Sequence, residues 1–317
     1  MTLAPWVQRH SLLSYFGLAF GISWGGILIV LISTNFDLST ALPTEISVLF
    51  VLMLLGPSVS GLTLIALLDG RAGLRELWSR LIRWKVDAGW YALALLTAPL
   101  LLLAILLLLS AFVSPAFAPR FQWAMFAVGL IAGSFEEIGW TGLATPRLLA
   151  RHRPWIAGLS LGLVWALWHL LVDFRYNFGT MGGGWILEFA IVYLATLTPY
   201  RILMMWVYSN TSSLLLAVLM HASFTGALMT FFPATTFAQG LIWQSAFAIA
   251  MWGSAFIVLR SASRHAPEKG FYTFAQSAHS PLFEEPEKFG RILREDVFQG
   301  TTTLADATIP VNGERKP

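Results

Sequence analysis

Trp90-Tyr-Ala-Leu-Ala-Leu-Leu-Thr-Ala-Pro-Leu-Leu-Leu-Leu-Ala-Ile-Leu-Leu-Leu-Leu-Ser-Ala-Phe-Val113 carries no charged side chain over 24 residues. At 1.5 Å of rise per helical residue, such a run crosses the roughly 30 Å of hydrocarbon in a bilayer. Lipid offers the backbone no hydrogen-bond partners, so the run must satisfy its own amides as a helix. Seven more uncharged or nearly uncharged blocks flank it, at about 11–33, 46–68, 124–144, 155–172, 185–208, 212–232 and 241–259. The expectation is an all-α polytopic membrane protein of about eight transmembrane helices, residues 1–260, followed by a polar cytoplasmic tail, residues 261–317. The first block is too long for a secretory signal and lacks a small-residue cleavage pattern.

Composition agrees, since 56% of the 317 residues are hydrophobic and 12% charged, about half the charged share of a soluble domain. The chain has no Cys, which excludes a disulfide framework, a thiolate metal site and a cysteine nucleophile. A net charge of +3 without a dense basic face argues against nucleic acid as a partner. The basic residues gather in alternate connectors: Arg71, Arg75, Arg80, Arg83 and Lys85, then Arg147, Arg151 and Arg153, then Arg260 and Arg264. The connectors between them hold only Arg120 and Arg175. The positive-inside rule then expects a multi-pass protein of the cell membrane with both termini in the cytoplasm.

Between Ala72 and Trp84 the apolar residues Leu74, Leu77, Trp78, Leu81 and Ile82 recur at helical spacing, with Arg75, Glu76, Arg80 and Arg83 elsewhere on the wheel. That pattern predicts an interfacial helix that anchors the topology. Gly17, Gly21 and Gly25, spaced by four, predict close helix packing within the chain. From residue 261 onward the chain holds seven basic and eight acidic residues with scattered Pro and Gly, the composition of a poorly ordered segment.

Ionisable side chains are expensive in a membrane helix, which makes them functional candidates. The blocks contain Glu136, Glu137, His169, Glu188, Arg201 and His221. Glu136 and Glu137 leave their helix about 100° apart, and two adjacent carboxyls do not both ionise easily in low dielectric. His169 follows Trp165 by one turn, a spacing that sets an indole wall beside the imidazole, and Thr225 follows His221 by one turn. A buried His is more often a hydrogen-bonded core residue than a catalyst. Paired Glu, His and His on three separate apolar helices, however, can converge on one cavity. Two chemistries fit that set. Glu136, His169 and His221 could hold a zinc ion with an open position for water. Without metal, a Glu could deprotonate water while His and Thr side chains support an oxyanion.

Glu188 and Arg201 are too far apart to pair within their helix, so each is expected to meet another helix or the membrane interface. Asp173 and Arg175 are expected in a solvated loop, and Gly182, Gly183 and Gly184 in a flexible turn.

Three stretches resemble the motifs of the CAAX-processing and bacteriocin-processing (CPBP) intramembrane proteases. They are Glu136-Glu-x-Gly-Trp-x-Gly-Leu with Pro146-Arg-Leu148, Trp165-x-x-x-His169 and His221-x-x-x-Thr225, and Trp206–Ser213 is similar to the family's approach to its last motif. The resemblance covers about residues 10–260. It implies an endopeptidase with water activated at Glu136, with His169 and His221 in the site, and a peptide or protein substrate in the bilayer. Two positions depart from the family pattern. Thr141 stands where Arg is usual, and Thr225 where Asn is usual. Thr225 keeps a hydroxyl, whereas Thr141 cannot supply a guanidinium's charge. A non-catalytic scaffold or immunity protein of the same fold, and a proton-coupled transporter, are the alternatives. The substrate, the oligomeric state and the need for metal are not legible.

Overall fold

The computed structural model describes residues 3–33, 43–264, 269–275, 284–297, 303–305 and 307–309. The chain divides into two units, Met1–Ala255 and Phe256–Pro317.

The regular elements of the first unit are all helical among its described residues. After a short α1 (Leu3–Arg9) come α2 (Ser11–Ser33), α3 (Pro43–Leu68), α4 (Gly70–Leu81), α5 (Ala88–Phe112) and α6 (Trp123–Gly139). Then follow α7 (Thr145–Leu149), α8 (Pro154–Trp168), α9 (Leu170–Met181), α10 (Trp185–Phe189), α11 (Thr196–Thr211), α12 (Leu214–Phe231) and α13 (Phe237–Arg264), which runs on past the unit boundary. Among the described residues seven helical spans are long and apolar enough to cross a membrane. Residues 124–144, expected as an eighth, form the 17-residue α6 and then a π-turn, Trp140–Ala144. That helix is shorter and carries both Glu136 and Glu137. The protein is an all-α polytopic membrane protein, and its lipid-facing surface shows where the hydrophobic effect places no demand for burial: Ile29, Leu67, Leu108 and Ile249 are all exposed.

Small residues decide which helices meet. A side chain at Gly129 would strike Gly226 of α12, and one at Gly133 would lie 2.5 Å from the amide of Ala222. This contact brings α6 against α12 one turn from Glu136 and Glu137 and next to His221. Gly158 and Gly162 play the same part in α8, where an added Cβ would meet the backbone of Ile202 and Thr198 in α11. Close approach of backbones is what small residues permit in a membrane bundle, where packing contacts and hydrogen bonds replace the hydrophobic effect between helices. Gly17, Gly21 and Gly25 do not work this way. An added Cβ at any of the three meets nothing within 4 Å, and α2 instead packs its neighbour through Gly26, against Leu52.

Three further expectations change. The helix expected over 72–84 is α4, Gly70–Leu81, but Arg80 is buried, donating from Nη1 to the Tyr208 hydroxyl at 2.8 Å and from Nη2 to the Gly142 carbonyl at 3.1 Å. Trp78, Ile82 and Trp84 are exposed there. Asp173 lies in no solvated loop. It sits on α9, 3% exposed, because the chain resumes helix immediately after His169. The side chain of Arg175 lies outside the described residues. Gly182–Gly184 forms one tight 3-10 turn, entered through Gly182 at φ +54°, a conformation that costs glycine little.

In the second unit, the described residues include a two-stranded antiparallel ribbon, β1 (Lys269–Phe271) with β2 (Ala307–Ile309), registered through Gly270 opposite Thr308. They also include α14 (Pro286–Ile292) and a following π-turn. Asp296 organises this unit by accepting hydrogen bonds from the Tyr272 hydroxyl and from the amides of Thr303 and Leu304.

Candidate active site

The two adjacent carboxyls of α6 have different surroundings. Glu137 is 0% exposed and faces the protein on every side. Arg201, on α11, grips it with two parallel bonds, Nη1 to Oε2 and Nη2 to Oε1, both 2.9 Å. His221 Nδ1 lies 2.7 Å from Oε1, and the Thr141 hydroxyl donates to Oε2. The guanidinium also lies over the Trp165 ring, 4.2 Å from its centroid. A two-pronged guanidinium–carboxylate pair with further hydrogen bonds is the arrangement that makes a buried ion pair tolerable in low dielectric.

Glu136 is also buried, but its partners are two indoles. Its Oε2 accepts from Trp165 Nε1 at 2.8 Å and from Trp140 Nε1 at 3.3 Å. The residue lines a cavity of about 390 Å³, together with Trp165, His169, His221 and Thr225; Met53, Leu54, Val172 and Leu228 supply apolar wall. Glu137, Arg201 and Thr141 are absent from that wall.

Helix geometry explains the split. Consecutive residues of α6 point about 100° apart, so α8, which carries Trp165, receives one carboxyl, and α11 and α12 receive the other. The π-turn at Trp140–Ala144 begins one turn beyond Glu136, and the Thr145 hydroxyl bonds the Trp140 carbonyl at 3.0 Å inside it. Extra residues of this kind within a helix recur at functional sites. The turn holds Thr141 at Glu137 while Trp140 reaches back to Glu136.

The imidazoles are oriented through Nδ1. His169 stands at the break between α8 and α9, with Nδ1 2.9 Å from the Trp165 carbonyl. A carbonyl only accepts, so Nδ1 carries the proton there. His221 meets Glu137 through Nδ1, and its ring packs edge-on against Trp165 at 4.9 Å. The packing brings His169, His221 and Glu136 together, because all three line the same cavity.

Of the five expected site residues, four line the cavity: Glu136, His169, His221 and Thr225. Glu137 stands behind His221 instead. For the suggested metal set, no group of three His, Asp or Glu side chains among the described residues is arranged to hold an ion. Nδ1 of each imidazole is engaged, one by a carbonyl and one by a carboxylate, which leaves each ring its Nε2. Arg201 is the residue whose part went unread. Its signal was present, an arginine in an apolar block, but only the crossing of α8 and α11 brings it to Glu137.

The chain is similar to known proteins over part of its length. A family model described as type II CAAX prenyl endopeptidase, Rce1-like, matches residues 98–227. A protein of Methanococcus maripaludis called CAAX prenyl protease 2 is 27% identical over 110 residues, 33% of this chain and 40% of the relative. The chain thus matches well under half the length of that curated relative. The segment that is similar to this family model holds Glu136, Glu137, His169, Arg201, His221 and Thr225.

Proposed function

We propose that the protein is an intramembrane endopeptidase in which Glu136 activates the attacking water. The observation that carries this is the different engagement of the two carboxyls. Glu137 is saturated by Arg201, His221 and Thr141, whereas Glu136 meets the cavity with Oε2 steadied by two indole N–H groups. Oε1 is then the oxygen that holds the water. As the water oxygen bonds to the peptide carbonyl carbon, Glu136 takes its proton, and the carbonyl electrons move to oxygen as an oxyanion. Collapse of that intermediate breaks the C–N bond, and the proton passes from Glu136 to the leaving amine.

Thr225 donates to the oxyanion in this scheme. His221 is aimed by Glu137 through Nδ1, as a carboxylate aims a catalytic imidazole, and it meets the reacting atoms through Nε2. His169, fixed by the Trp165 carbonyl, does the same from the other wall. The apolar wall of Met53, Leu54, Val172 and Leu228 suits a substrate that arrives from lipid. The relative's name makes a prenylated C-terminal peptide the first substrate to try.

Purified protein in detergent, given quenched-fluorescence peptides with and without a farnesyl-cysteine, tests the proposal. Cleavage by the parent that disappears in Glu136→Gln is the expected result. A well-folded parent that cleaves neither kind of peptide but carries protons across liposomes overturns it in favour of a transporter.

A further inference from the structure

A second chamber, about 520 Å³, adjoins the cavity of Glu136, and Val192, Tyr193 and Leu228 line both. Tyr193 is the partition, its ring 4.9 Å from that of His169. The chamber is acidic, with Asp173 3% and Glu188 8% exposed on its wall and no Lys, Arg or His among the described residues that line it. Asp173 is held by the Trp185 indole N–H at 2.5 Å.

Among the described residues, Glu188 Oε2 and Gln244 Oε1 have no hydrogen-bond partner, and neither has Nε1 of Trp243, itself 2% exposed. Such atoms buried without partners are costly, and each calls for an occupant. Two of the three are acceptors set beside a second carboxyl, so the missing group is rich in N–H donors and positive. An ammonium brings three donors and a guanidinium five. Phe237 and Phe247 line the same space, and apolar wall of this kind suits the methylene stem of such a side chain. The orphaned indole N–H of Trp243 is the complement, a donor for a backbone carbonyl.

We infer that this chamber is a side-chain subsite that takes a Lys or Arg residue of the peptide substrate, near the bond presented to Glu136. The inference rests on the peptidase proposal for its substrate, but the chamber's binding chemistry can be read apart from cleavage.

The experiment uses the full-length chain in detergent as the hydrolysis-defective Glu136→Gln protein. Fluorescein-labelled peptides carry Lys, Arg, norleucine or Glu at one scanned position, and anisotropy reports their binding. At one position Lys and Arg should bind about tenfold tighter than norleucine, the scale of a charge-assisted hydrogen bond. Adding Glu188→Gln should bring that ratio near one, and Gln244→Leu should reduce it in a protein whose carboxyls are intact. Melting temperatures of both double variants identify any that is misfolded, and the other then decides. Lys and norleucine binding within twofold at every position, or a preference that survives both substitutions, overturns the inference and leaves the chamber filled by water alone. Parallel cleavage by the parent separates the two proposals. Cleavage without a basic preference ends the subsite and keeps the peptidase, whereas a Glu188-dependent preference without cleavage keeps the subsite and ends the peptidase.

Discussion

Arg201 and Glu137 form a forked pair across α11 and α6, two contacts of 2.9 Å between side chains 1% and 0% exposed. The pair locks the helix that carries Glu136 to the helix that packs on Trp165, and it sets Glu137 behind His221. Removing one partner of such a pair strands a charge in low dielectric. Arg201→Met should therefore destabilise the protein by about 3–5 kcal/mol, while Arg201→Met with Glu137→Leu should recover a large part of that loss. Thermal unfolding in detergent measures both, and a single variant as stable as the parent would exclude the pair as a fold determinant. Thr141→Arg should also destabilise, since Glu137 already holds one guanidinium.

The division between adjacent carboxyls predicts opposite phenotypes. Glu136→Gln should lower turnover by roughly 10² to 10⁴, the contribution of a general base, with little change in melting temperature. Glu137→Gln should lose stability first, because it uncouples Arg201 and His221 together. A folded Glu136→Gln protein that cleaves at the parent's rate, with Glu137→Gln inactive, would reverse the assignment.

Thr225 lines the cavity one turn from His221. If its hydroxyl donates to the oxyanion, Thr225→Val should lower turnover by roughly 10²-fold and leave KM nearly unchanged, whereas Thr225→Asn should keep or raise turnover. Equal rates in all three forms would remove the residue from the site.

The contact of α6 on α12 depends on Gly133, where an added Cβ would lie 2.5 Å from backbone of Ala222. Gly133→Val should separate the helices and abolish cleavage with a clear loss of thermal stability. Gly17→Ala, which meets open space, should be tolerated within about 0.5 kcal/mol. Equal melting temperatures for the two would show that the small-residue contact is not what sets the site.

The orientation expected in the membrane rests on connector charge. Reporter fusions at Thr40, beyond the first span, and at Ser261, near the end of α13, should report opposite faces, with Ser261 cytoplasmic. Activity at Ser261 only on the outer face would invert the topology.

How much of this was legible beforehand depends on the range of the interaction. Runs such as Trp90–Val113 declare helices crossing lipid through local composition, because the demand for internally satisfied amides acts on each segment separately. Glu136, His169 and His221 stood out for the same reason, as costly groups in apolar runs. The tertiary structure decided what those groups do together. Glu137 became a partner of Arg201, Asp173 and Glu188 came to line a second chamber, and Arg80 was drawn inward to Tyr208 and Gly142. Each of these needs two helices distant in sequence to meet at one height and rotation. Helix contacts such as Gly133 on Ala222 and Gly162 on Thr198 set that height and rotation, and residue spacing along a single helix does not encode them.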